Sequence, residues 1–278
     1  MTYKDIIAPV FGLPEDESAL TAAGEIATLF ETRAVALIVA VHLASSYADA
    51  PSTLSDVLKD IAAGAQSAAA LERKEIVTWL QNASHEFEVR DVQVEGAVDQ
   101  GEAEAQARVA DLVIMTHAPE HARARRSFVN RVLFKAGRPV LMVPGAPVQH
   151  RQWRRFVVGW NAKAEAMRSV QAALPLLRKA QQVIVATVDA KPGLGGHGPA
   201  PGHELAQHLA RHGVSVEVRN LDSMGRDTEV ALIAEGRAIG ADALVLGAYG
   251  HSRAQEFMFG GVTRALLNSA PMPLFLCH

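Results

Sequence analysis

The chain has a single cysteine, Cys277, among 278 residues. That excludes an intramolecular disulfide and fits a reducing compartment, the cytoplasm. No apolar run approaches the roughly 20 residues of a membrane-spanning helix. The N-terminal MTYKDIIAPVFG has one lysine and a proline inside its apolar run, the wrong pattern for a secretory leader. Positive charge is not in excess. Lys and Arg number 27 against 30 Asp and Glu, a net charge of −3, which gives no electrostatic case for nucleic acid. Catalytic patterns are missing too. There is no Ser-His-Asp order, no metal-ligand cluster, no Walker lysine and no pair of carboxylates converging on a loop. Cys277 has no base to activate it and reads as the end of a strand. These absences favour binding over catalysis.

What the chain has is length and apolar content. At 49% apolar it is globular, and its length suits two domains of about 140 residues better than one. Continuous apolar strands are expected over 6–11, 34–43, 112–115 and 140–143, with an alternating, half-exposed one over 87–94. Helices are expected over 15–31, 54–80, 101–110 and 128–136. A polar, proline-led stretch, 147–154, reads as a linker. The series then repeats, with strands over 156–160, 183–188, 214–218, 244–246 and 274–276, and helices over 164–179, 203–212, 228–240 and 262–269. Pro175 predicts a kink or local break in its helix.

The two halves also match in detail. Asp111-Leu-Val-Ile-Met parallels Asp242-Ala-Leu-Val-Leu, and Arg138-Pro139 parallels Met272-Pro273. The proline follows the aspartate by 28 positions in the first half and by 31 in the second. This is a tandem duplication, with units 1–146 and 155–278. Strand–helix alternation implies an α/β fold of parallel sheets covered by helices on both faces. Ligands of such sheets sit beyond the strand C-termini, where strand order reverses.

The stretch richest in chemistry is 242–263, DALVLGAYGHSRAQEFMFGGVT. A buried strand ends at Gly247, Gly250 breaks the chain again, and a polar loop leads through Gly260-Gly261 to a helix starting at Val262. Glycines let backbone N–H groups approach an anion, and a helix N-terminus favours negative charge. His251, Ser252 and Arg253 add donors and charge. Glycine also ends many strands for no reason beyond the turn, so the setting carries the reading.

The Gly, two residues, Gly, nine residues, Gly spacing of Gly247, Gly250 and Gly260 resembles the nucleotide motif of the universal stress protein family. The tandem form of that family resembles nearly the whole chain. The resemblance implies an open five-stranded parallel sheet per domain, of the adenine nucleotide alpha hydrolase-like kind, and pairing of the domains through their last strands. It also implies ATP, with or without Mg²⁺, held by Gly250, Gly260, Gly261 and Ser252, with Asn161 and the backbone at Val188 near the nucleoside. Gly261 stands where some members have Ser or Thr, and Thr263 is a partial substitute for that hydroxyl. The usual strand-1 aspartate is Asn161 in the second half and Phe11 in the first. The first half lacks the glycines altogether, with Thr116 and Pro119 in their place, so no nucleotide is expected there.

The expected function is a cytoplasmic stress-response regulator binding ATP in its second half. The alternatives are a scaffold that has lost the nucleotide and, last, a slow ATP hydrolase, for which no general base is in view. The expected partners are the two domains for each other, with a homodimer as a further option. Arg123, Arg125 and Arg126 form a basic run that reads as solvated, since short charge runs usually face water; the alternative is an anion contact on a partner or across the domain pair. His208 and His212 lie one helical turn apart but lack a third ligand for zinc.

Overall fold

The computed structural model describes residues 2–42, 52–95, 100–117, 122–145, 149–248, 266 and 271–278. The first half runs β1 (Ile6–Val10), α1 (Glu17–Leu29), β2 (Ala34–His42), α2 (Ser52–Asn82), β3 (Phe87–Glu95), α3 (Gly101–Arg108), β4 (Leu112–Thr116), α4 (Arg123–Arg131) and β5 (Val140–Val143). A π-helical turn, Val132–Ala136, continues α4. The second half runs β6 (Arg155–Gly159), α5 (Ala164–Lys179), β7 (Gln182–Val188), α6 (His203–Arg211), β8 (Val216–Leu221), α7 (Thr228–Ala238), β9 (Ala243–Gly247) and β10 (Leu274–Cys277). Of the helix expected over 262–269 only Leu266 is described; it is helical and buried.

The strands form one sheet of ten in the order β3-β2-β1-β4-β5-β10-β9-β6-β7-β8. Within each half all neighbours are parallel. The halves meet where β5 and β10 pair antiparallel, Leu274 opposite Met142 and Leu276 opposite Val140. The two five-stranded sheets are thus halves of a continuous one. Alternate residues of each strand point to opposite faces, and two cores result. Ile6, Ile114, Leu141, Phe156, Val245 and Phe275 join α1, α2, α5 and α6 on one face. Ile7, Val113, Met142, Val157, Leu244 and Leu276 join α3, α4 and α7 on the other. Each core draws on both halves.

The duplicated residues have matching roles. Asp111 Oδ2 accepts from the backbone N–H of Lys4 and Asp5 at 2.7 and 3.1 Å. Asp242 Oδ2 accepts from Arg154 and Arg155 at 2.7 and 2.9 Å. Each aspartate therefore fixes the chain entering its half's first strand. Each duplicated proline offers its carbonyl across the sheet, Pro139 to Val113 N at 3.1 Å and Pro273 to Leu244 N at 2.9 Å. A third correspondence lies on the outer strands. Arg90 pairs with Glu88 and Gln106, and Arg219 pairs with Glu217 and Glu235.

Within the stretch expected as a linker, α1 anchors the described residues through Trp153 and the backbone of Arg151, while Gln149, His150, Gln152 and Arg154 are exposed. The Glu25 carboxyl on α1 accepts from Arg151 N at 3.1 Å and from Trp153 Nε1 at 3.0 Å, and meets His150 Nδ1 at 3.0 Å. Trp153 is 1% exposed. Tyr3 adds a hydroxyl bond to Ala172 O at 2.6 Å. The break expected at Pro175 is absent, and α5 runs uninterrupted from Ala164 to Lys179. A proline inside a helix costs about 3 kcal/mol. Burial of Val170, Leu176 and Leu177, at roughly 1.5–3 kcal/mol each, outweighs it.

Candidate functional site

Strand order reverses between β1 and β4 in the first half and between β6 and β9 in the second. In the second half β6 ends at Gly159, and the chain passes through Asn161 and Ala162 into α5. Asn161 is exposed, and its Oδ1 accepts from Lys163 N at 3.2 Å, a local turn that aims α5 at the crossing. Ala162 takes a left-handed φ of 58°, as does Asp189 after β7 with 50°. Such conformations cost alanine or aspartate energy and need support from their surroundings. Part of that support is visible. Asp189 Oδ1 accepts from Ser223 N at 3.0 Å, and hydrogen bonds from the Ser223 side chain and backbone hold its carboxyl below the usual range. Asn220 cross-braces the same loop, donating to Ala190 O at 2.9 Å and accepting from Thr187 Oγ1 at 2.9 Å. Val188, half-buried, closes β7 beside them.

Gly247 closes β9 against the first turn of α5. A Cβ on Gly247 would lie 2.6 Å from Ala166 N and 2.7 Å from Glu165 Cγ. Its φ is not left-handed, so close approach of helix and strand, not a turn, requires the glycine. Glu165 is 9% exposed, and its Oε1 has no hydrogen-bond partner. Ser169, one turn on, is wholly buried. It donates to Leu246 O at 2.7 Å and accepts from Cys277 N at 2.8 Å, tying the ends of β9 and β10 to α5. Burial pushes the Cys277 thiol up, in keeping with an inert strand end.

The first-half crossing is built differently. The Phe11 ring packs edge-on against Phe128 at 5.9 Å, with the Arg125 guanidinium 5.6 Å from its centre. Arg125 Nη2 donates to Asp16 Oδ2 at 2.9 Å. The same oxygen accepts from Phe11 N at 2.7 Å and Gly12 N at 3.2 Å. Burial raises the Asp16 carboxyl's pKa, against the pull of Arg125 and these N–H groups. The expectation of a solvated arginine run therefore fails at Arg125, which is 7% exposed and pairs within its own half. Asp16 Oδ1, Arg125 Nε and Thr116 Oγ1 have no protein partner, and buried water characteristically satisfies such groups.

Residues 152–278 match the model of the universal stress protein family. The second half is a universal stress protein domain. The fold extends the likeness over the whole chain. A universal stress protein from Archaeoglobus fulgidus superposes with a TM-score of 0.70 at 14% identity, covering 99% of this chain and 96% of its own. A putative universal stress protein from Pseudomonas aeruginosa gives 0.55 at 14% identity, covering 99% and 93%. At that identity the likeness is one of fold. No curated protein matches the chain by sequence.

Of the residues singled out from the sequence of this universal stress domain, Asn161, Val188 and Gly247 all lie at the C-terminal edge of its sheet. Gly250, His251, Ser252, Arg253, Gly260, Gly261, Val262 and Thr263 lie outside the described residues, as does Pro119 in the first half. Glu165 escaped the sequence reading. Its one signal is an acidic residue in the first turn of the helix that follows Asn161, and burial is what makes it stand out. His208 and His212 stack at 4.6 Å on α6. Among the described residues no group of three His, Cys, Asp or Glu could hold a metal, and no helix is long and apolar enough to cross a membrane.

Proposed function

We propose that the chain is a cytoplasmic stress-response regulator that binds ATP in its second half, residues 155–278, and none in its first, residues 1–146. One observation carries this reading. The first turn of α5 is seated directly on Gly247 at the strand reversal, inside a domain whose sequence continues with Gly250 and Gly260 at the spacing of a phosphate loop. That arrangement brings a helix N-terminus to the place where an anion would be favoured. Asn161 and the backbone at Val188 flank the nucleoside, and Gly250, Ser252, Gly260 and Gly261 face the phosphates. The fit is partial at Asn161, whose Oδ1 is engaged by Lys163 N. This favours a second reading, a scaffold that no longer takes nucleotide.

Calorimetry with ATP, together with mass spectrometry of natively purified protein, separates the two readings. The expected result is one nucleotide per chain, lost in Gly260→Val with the fold intact. Each charge-assisted contact removed is worth roughly 1.5–3 kcal/mol, or about ten- to a hundredfold in affinity. A stoichiometry of two overturns the asymmetry; no binding in the wild type leaves the scaffold. Turnover is expected to fall far below the typical range of about 1–10³ per second, because the sequence pattern supplies no general base for the attacking water.

A further inference from the structure

The unexplained group at the second crossing is Glu165. Its side chain lies along Gly247, with Cγ 2.7 Å from where a Cβ on that glycine would be. Nine-tenths of the residue is buried, and Oε1 has no partner. An acid in the first turn of a helix complements the helix dipole, but that role is filled equally well from the surface. Burying a carboxyl oxygen without a partner is costly, and here the cost falls beside Gly247, at the strand reversal where the nucleotide is proposed to bind. Among the described residues, Asp16 Oδ1 is the other buried acidic oxygen without a partner, and it belongs to a carboxyl already paired with Arg125. Asp189 is bonded to Ser223 and Asn161 to Lys163. At the β6–β9 crossing, Glu165 is thus the acid with an oxygen left over.

We propose that Glu165 is the protein's ligand for a divalent cation that enters with the nucleotide, so that the site takes ATP as its Mg²⁺ complex. This rests on the nucleotide reading above. The chemistry suits Mg²⁺, which keeps several waters and binds through one or two carboxylates together with substrate phosphates, not within an all-protein cage. One carboxylate does not retain the ion by itself, so cation and nucleotide bind together. Without the cation, the same oxygen faces the phosphates as an uncompensated acceptor and works against binding.

The test is calorimetry of wild type and Glu165→Gln, each titrated with Mg²⁺ alone, with ATP in excess Mg²⁺, and with ATP in a chelator. Wild type is expected to give no heat with Mg²⁺ alone and to bind ATP about tenfold or more tightly with Mg²⁺ than without. In Glu165→Gln that ratio falls towards one, through weaker binding of the complex and stronger binding of free ATP. A wild type indifferent to Mg²⁺ overturns the inference without any variant. The same ratio in both proteins overturns it too, and leaves the nucleotide site standing. No ATP binding under any condition removes the nucleotide reading and this inference with it. Matching thermal melts of the two proteins confirm that the variant is folded.

Discussion

The β1–β4 crossing and the β6–β9 crossing hold equivalent positions in a duplicated sheet, and their chemistry has diverged. The first is closed by its own side chains: Phe11, Arg125 and Asp16 bury a ring, a guanidinium and a carboxyl together. The second presents an exposed Asn161, two left-handed non-glycine residues and an acid with an unpaired oxygen. Scaffold features are shared meanwhile, down to the two N–H groups on each strand-entry aspartate. Duplication thus preserved what holds the sheet, while the side chains around the two strand reversals diverged.

That contrast is open to direct attack. The largest effect is expected from Arg125→Ala. It strands the Asp16 carboxyl in the interior, and breaking one side of a buried pair costs about 3–5 kcal/mol. Urea unfolding measures the loss, and nucleotide affinity should not change. A loss of nucleotide binding would show that the closed crossing has a ligand role after all. Next come Asp111→Ala and Asp242→Ala. Each removes a carboxylate that accepts two backbone N–H groups, and each should lose roughly 1–3 kcal/mol. Near-equal values would confirm that the shared scaffold is energetically shared; a severalfold difference would break the parallel.

The smallest effect concerns acid. Burial alone would raise the pKa of Glu104 on α3, but hydrogen bonds from Arg131 and Arg108 outweigh it and hold the carboxyl below its ordinary 4.5. A depressed native value contributes stability that is present above the unfolded value and lost as pH falls through the folded one. Glu104→Gln should therefore be less stable than wild type at neutral pH, with the deficit closing below pH 4.5. Glu217 is also held low by Arg219 but is largely exposed, so Glu217→Gln should show no comparable deficit in the same denaturation series.

Much of this architecture is legible in the sequence because the inner strands are buried on both faces and so read as unbroken apolar runs. Gln182–Val188 and Ala243–Gly247 are seen within a residue or two. The errors arise where a long-range partner overrides a local rule. Arg125 sits in a run that looks solvated, and its partner, Asp16, is 109 positions away. Pro175 should break a helix, yet sheet packing carries α5 through it. Gly247 reads as a turn glycine, while its actual constraint comes from Glu165 and Ala166, some 80 positions earlier. Gly247 is singled out by its spacing and Asn161 by the family resemblance, and both lie at the C-terminal edge of the sheet. Glu165 is not singled out, because nothing local announces that an acid in a helix's first turn is buried.

The antiparallel seam between β5 and β10 has a consequence for how the molecule assembles. Each strand would be a bare apolar edge in a separated half, and such edges find partners. Covalent linkage makes that meeting intramolecular, at an effective concentration set by the connecting segment and not by how much protein the cell makes. Joining the halves should therefore be independent of dilution. Because both cores draw residues from either side of the seam, the two halves should also melt as one unit.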